Sequence, residues 1–169
     1  MMRARALTLV ELVVTISVMM ILTAVSVSGL VGMRTWRAGA AVRRVHADLA
    51  YARARAMLSS RRTICEFDLK AQSYELQQEA KPVTGKISGS VLAHPLKDED
   101  WRVTLAELGG GLTVSAISGA SGDEVGFSPQ GLPVNRSGKV ITKDVQVRFS
   151  NGAQIVIHGG SGLCEVSWP

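Results

Sequence analysis

Hydrophobic and polar positions follow three regimes along the chain. From Leu12 to Met33 the run LVVTISVMMILTAVSVSGLVGM carries no charged side chain. Coiled as a helix it spans about 33 Å, enough for a bilayer core of about 30 Å. Beyond it, Ala38, Val42, Val45, Leu49, Ala52 and Ala56 alternate at spacings of four and three. That spacing puts a narrow apolar stripe on one helix face. No proline precedes Pro82, so nothing in the backbone interrupts the helix. The pattern predicts one helix from Leu7 to Ser60, about 80 Å long. Its first half is apolar all round and its second half amphipathic. Gly29, Gly32 and Gly39 are the positions where it could bend.

After this the period changes to two. Cys65, Phe67 and Leu69 share one strand face, with Glu66, Asp68 and Lys70 on the other. Tyr74 and Leu76 alternate with Glu75 and Gln77, Trp101, Val103 and Leu105 with Arg102 and Thr104, and Val145, Val147 and Phe149 with Gln146 and Arg148. Such alternation marks antiparallel sheets with one polar face. Asn151-Gly152 is a hairpin signal, and Gly159-Gly160-Ser161-Gly162 turns the chain into a last strand, Leu163 to Trp168. Residues 80–100 and 118–124 read as loops. The expected fold is α+β, a long N-terminal helix packed on two small antiparallel sheets.

Length and composition fit one domain: 169 residues, 46% apolar, formal charge +5. The charge is unevenly placed. Residues 1–33 carry Arg3 and Arg5 against Glu11, a net of +1. Residues 34–62 carry Arg34, Arg37, Arg43, Arg44, Arg53, Arg55, Arg61 and Arg62 against Asp48, a net of +7. Residues 63–169 have nine basic and twelve acidic side chains, a net of −3. Arg37, Arg44, Arg55 and Arg62 lie on a second stripe at spacings of seven, eleven and seven. A solvated helix face explains them. So does an anionic partner, either phospholipid headgroups near Arg34 and Arg37 or the phosphates of DNA. Trp36, just past the apolar run, has the place of an interfacial anchor. His46 and Tyr51 fit no pattern.

The chemistry-bearing residues are sparse. No GxSxG, HExxH or P-loop motif occurs, so no enzyme, cofactor or metal centre is expected. Asp98-Glu99-Asp100 lacks the spaced ligands of a calcium loop, and His94 and His158 have no evident metal partner. Cys65 and Cys164 share strand faces with apolar residues. They are either free core thiols or a disulfide joining the first strand to the last.

Glu11 stands apart. A carboxylate at membrane depth costs about 2.5–3.5 kcal/mol on insertion scales and signals function. No cation lies between Leu7 and Met33 to pair with it. A cleaved signal peptide, with Ala24-Val25-Ser26 as its small-residue site, and a simple signal anchor both leave Glu11 unexplained. The stretch Arg3-Ala4-Arg5-Ala6 followed by Leu7-Thr8-Leu9-Val10-Glu11-Leu12 resembles the leader and cleavage region of type IV pilin-like proteins. Asp48-Leu49-Ala50-Tyr51-Ala52-Arg53-Ala54-Arg55-Ala56 is similar to the helix end of the GspH/FimT branch of pseudopilins, and Phe127-Ser128-Pro129-Gln130-Gly131 resembles a turn of that branch.

The resemblance implies a prepilin peptidase cut between Ala6 and Leu7 and N-methylation of Leu7. It also implies pairing of Glu11 with the terminal amine of a neighbouring subunit. Ala6 stands where the family usually has Gly, and Leu7 where it usually has Phe. The implied organisation is a leader (1–6), a transmembrane and assembly helix (7–33), a basic amphipathic continuation (34–62) and a periplasmic β domain (63–169). The implied role is a minor pseudopilin or minor pilin in the bacterial inner membrane. Its partners would be other pilins, the peptidase, the assembly platform and membrane lipid. Two other readings stand beside it. One is a DNA-binding minor pilin. The other is a bitopic protein with a cytoplasmic β domain, which the basic residues after Met33 favour under the positive-inside rule.

Overall fold

The computed structural model describes residues 8–80, 87, 89–96 and 99–169, and for residues 25–32 the helix alone. Helix α1 (Leu9–Ser59) is continuous. Thr8 caps it, and Ser60, with φ of 53°, ends it in the left-handed region. The strands follow as β1 (Thr63–Asp68), β2 (Ser73–Glu79), β3 (Gly89–Val91) and β4 (Arg102–Thr104), then the single turn α2 (Leu105–Leu108). After it come β5 (Val114–Ser118), β6 (Glu124–Phe127), β7 (Pro133–Val134), β8 (Val145–Phe149), β9 (Gln154–Ile157) and β10 (Cys164–Ser167). Among the described residues they form two antiparallel sheets. One has the order β3-β2-β1-β6-β7 with β4 also on β2, and the other β10-β9-β8-β5.

The apolar stripe of α1 holds these sheets. Ala38, Val42, Val45, Leu49, Ala52 and Ala56 are all buried, with Ala41 beside them. They pack on Cys65, Phe67, Tyr74 and Leu76 of one sheet and Val145, Val147, Ile155 and Ile157 of the other. Each large side chain fully buried there contributes about 1.5–3 kcal/mol. The turn at Asn151-Gly152 forms as expected. Phe149 N–H donates to Ala153 O and Gly152 N–H to Phe149 O, with Gly152 at φ of 84°. The loop is thus a three-residue hairpin with a left-handed glycine rather than a two-residue turn.

Several local expectations are corrected. The stretch 80–100 is not all loop: β3 lies in it, and Ala93 bridges Asp100. Residues 81–86, 88, 97 and 98 of that stretch are outside the described residues. The strand over Trp101–Leu105 stops at Thr104, and Leu105 turns into α2. Strands β5 and β7 carried no readable alternation, and β5 has a register shift between Val114 and Ala116.

Two side chains join the sheets. Gln72, in the turn between β1 and β2, donates to Val114 O (3.2 Å) and accepts from Val114 N–H (2.7 Å). This satisfies the outer edge of β5. Arg53 of α1 donates to Gly131 O and to Ser161 O, each at 3.1 Å. The turn after β6 and the turn before β10 therefore hang on one guanidinium. They touch so closely that a β-carbon on Gly162 would collide with Gly131 O. Replacing Arg53 by alanine leaves two carbonyls without their charged donor. We expect a loss of about 2–4 kcal/mol. Thermal unfolding of the detergent-solubilised chain, followed by the fluorescence of buried Trp101, measures it.

Candidate assembly helix and its basic exit

Every described side chain from Thr8 to Ala24 is exposed, although most are apolar. Leu9, Val10, Leu12, Val13, Val14, Ile16, Val18, Met19, Met20, Ile21 and Leu22 are between 45% and 79% accessible. A contiguous apolar surface of this size marks a protein or membrane contact. The hydroxyls of Thr15, Ser17 and Thr23 donate back to the carbonyls of Glu11, Val13 and Met19, four residues earlier, so they add no free polar group. Among the described residues, no helix is long and apolar enough to cross a membrane. The expected anchor, residues 7–33, extends beyond the described side chains at Leu7 and at 25–32. The predicted cleavage pair Ala6 and Leu7 lies outside the described residues.

Glu11 has a local role that the sequence reading missed. Its backbone N–H donates to Thr8 Oγ1 (3.3 Å), and its Oε2 accepts from Thr8 N–H (3.2 Å). This is a capping box, legible in the spacing of Thr8 and Glu11. It also places the carboxylate at the positive end of the helix dipole. Among the described residues no cation pairs with Glu11.

The arginines divide by environment. Arg34, Arg37, Arg43, Arg55 and Arg61 are exposed, and among the described side chains of α1 burial begins at Ala38. Arg44 is bound at 3.1 Å to Asp48 and donates to His94 Nε2 (3.0 Å). Arg62 does not continue the stripe. The helix ends at Ser59, and Arg62 is buried against Glu79 through its Nε at 2.9 Å and a second guanidinium nitrogen. Hydrogen bonding to Glu79 holds the Arg62 pKa above its ordinary value. Of the four arginines proposed for an anion, only Arg37 and Arg55 are exposed and outside a carboxylate pair among the described residues.

Asp48 is the buried centre of the second half. Besides Arg44 it accepts from Tyr74 Oη (2.7 Å) and Trp101 Nε1 (3.3 Å). Burial, reinforced by the Asp48 charge, pushes the Tyr74 phenol far above its ordinary pKa. The Trp101 ring lies in tilted contact with Tyr51 (centroids 4.5 Å) and with His94 (4.6 Å). Tyr51, which fits no pattern in the sequence, thus packs on the Trp101 ring. His46 makes a 3.0 Å bond with Cys164 O.

Cys65 in β1 and Cys164 in β10 are both free, so the disulfide reading is not realised in this structure. They belong to different sheets. Burial pushes both thiols up, that of Cys164 to about 11, so neither is a thiolate at neutral pH. Among the described residues, no group of three or more His, Cys, Asp or Glu is placed to hold a metal.

His158 lies on the surface, 3.4 Å from both Glu165 and Asp144. Hydrogen bonding to Glu165, then the charge of Asp144, raises its pKa. Its contribution to stability is therefore full below about pH 6.5. It is lost as pH rises through the folded-state value. In an NMR titration His158 should protonate at higher pH than an unfolded-chain imidazole. Glu165→Gln should move it back down.

No family model matches the chain, and no curated protein matches it. Solved structures do. The minor pseudopilin EpsH of the type 2 secretion system of Vibrio cholerae superposes with a TM-score of 0.54 at 10% identity, over 79% of this chain and 96% of that one. The type IV minor pilin FimU of Pseudomonas aeruginosa gives 0.51 at 17% identity, over 76% of this chain and 91% of that one. The chain therefore has the α+β fold of type IV pilin-like minor subunits, with a long N-terminal helix seated on antiparallel sheets.

Proposed function

We propose that the chain is a structural subunit of a type IV pilin-like filament, as a minor pseudopilin of type II secretion or a minor pilin of a type IV pilus. The observation that carries this reading is the division of α1. One continuous helix is apolar and wholly exposed where described up to Ala24, is headed by Glu11, and becomes the buried spine of a β domain after Arg37. An isolated globular domain has no use for such a helix end. A filament does, because neighbouring helices bury it. Before assembly the same segment, with residues 25–33, would hold the chain in the inner membrane by a single pass, the β domain in the periplasm.

In this reading the prepilin peptidase removes residues 1–6 and Leu7 becomes the methylated first residue. Glu11 then meets the Leu7 amine of a neighbour as the assembly platform extracts the subunit. The DNA-binding alternative loses support from the engagement of Arg44 by Asp48 and of Arg62 by Glu79. In cells lacking the peptidase, the chain should keep its leader, stay in the membrane fraction and disappear from the assembled filament fraction. Immunoblots of sheared or cross-linked filaments check this. Filament incorporation without the peptidase would contradict it.

A further inference from the structure

The strand β10 runs back along α1. Ser161 O lies at Arg53, Cys164 O at His46, and the ring of Trp168 at Gly39, within 3.7 Å of where a β-carbon would stand. The guanidinium of Arg43 converges on the same point at 3.7 Å. One turn before Gly39 stands Trp36, 70% exposed, and Trp168 itself is 48% exposed. The turn at Gly109-Gly110 closes the same end of the domain against Arg34, Arg37 and Ala38. Chain segments distant in sequence thus place two exposed indoles among Arg34, Arg37 and Arg43, where the uncharged run ends. Glu107 on α2 is the acidic side chain next to that turn in sequence.

We propose that this end of the β domain docks on an anionic phospholipid bilayer. The two indoles would lie at headgroup level and the three arginines on lipid phosphates. The proposal rests on the membrane-anchored subunit reading and extends it from the helix to the domain. Indole rings favour the membrane interface because one edge is apolar and the other donates a hydrogen bond. Each arginine near an anionic surface adds on the order of fivefold to association. Charge alone does not single out this end, since Arg55 and Arg61 are exposed too. Arg55 lies about 18 Å further along the helix than Arg43. That exceeds the Debye length of about 8 Å, so it acts independently.

The test uses the full chain in vesicles of phosphatidylcholine, with or without one third phosphatidylglycerol. Lipids carrying a quencher at headgroup level report tryptophan contact. Flotation in high salt reports the anchor separately. We expect quenching in the anionic vesicles that W168F and W36F each reduce. R37E/R43E should lower it at least fivefold with flotation unchanged, while R55E/R61E leaves it as in the parent. Three results overturn the proposal with flotation intact. They are an unquenched Trp168 that iodide still reaches, equal effects of the two charge reversals, and a Trp168 shielded from aqueous iodide and from the lipid quencher alike, which would mean a protein covers the face. Failure of the parent chain to float overturns instead the anchor reading on which the proposal rests.

Discussion

Glu11→Gln should abolish incorporation into a filament while leaving the chain in the membrane fraction with its helix intact. The choice of glutamine matters. Glutamine still completes a capping box, so the bond from Thr8 N–H survives. Only the charge is lost. If Glu11 served the helix end alone, Glu11→Gln would cost only the dipole interaction, about 0.3–1 kcal/mol, with incorporation unchanged, and Glu11→Ala about 1 kcal/mol more. If it pairs with a neighbour's terminal amine, both substitutions remove the pair and leave an amine uncompensated in an apolar bundle, which costs several kcal/mol. Both variants should then fail, by a factor of a hundred or so for each ~3 kcal/mol lost. Counting subunits in isolated filaments against membrane-bound chain separates the two cases. Membrane insertion should improve slightly, since a carboxylate at that depth opposes it.

The second large effect falls on Asp48. Its carboxylate is buried and receives Tyr74, Trp101 and Arg44. Asp48→Ala leaves the phenol and the indole N–H buried without an acceptor, and frees Arg44 from its partner. Breaking one member of such a network costs about 3–5 kcal/mol. For a domain of this size that corresponds to about 10–15 °C in Tm. Asp48→Asn keeps one carbonyl acceptor and should fall between the two. Thermal unfolding followed by near-ultraviolet circular dichroism reads the loss, because Trp101 and Tyr74, both buried, donate to Asp48.

Much of this framework was legible because it is periodic. The stripe from Ala38 to Ala56 is one face of a helix whatever it packs on, and the alternation in β1, β2 and β8 fixes which side faces the core. Asn151-Gly152 announced its hairpin through the one residue type that accepts its φ. What periodicity could not carry was lost. Strand β3 is three residues long, too short to show alternation, and the bulge in β5 shifts its phase. Arg62 belonged to the arginine stripe only if the helix ran on; it stops at Ser59, and the next residues take a different geometry. The network around Asp48 joins positions 26 and 53 residues apart, and the Arg53 bonds reach 78 and 108 residues. No local window contains both partners. The Thr8–Glu11 capping box was within reach, three residues apart, but the carboxylate drew attention for its charge and its backbone role was missed.

These results divide the chain's arginines by task. Arg53 and Arg62 hold the domain together and Arg44 serves Asp48. Arg34, Arg37 and Arg43 face outward where the helix leaves the domain. The formal charge of +5 is therefore no single basic surface: Arg34, Arg37 and Arg43 stand beside the apolar run, and Arg55 and Arg61 are exposed further along the chain.

The central claim, a processed pilin-like subunit, is tested most directly by the mass of the mature N-terminal peptide from membranes of cells that make the chain. The account predicts a peptide that begins at Leu7 and carries one added methyl group. A chain that still begins at Met1, or one cut after Ala24-Val25-Ser26, would contradict it.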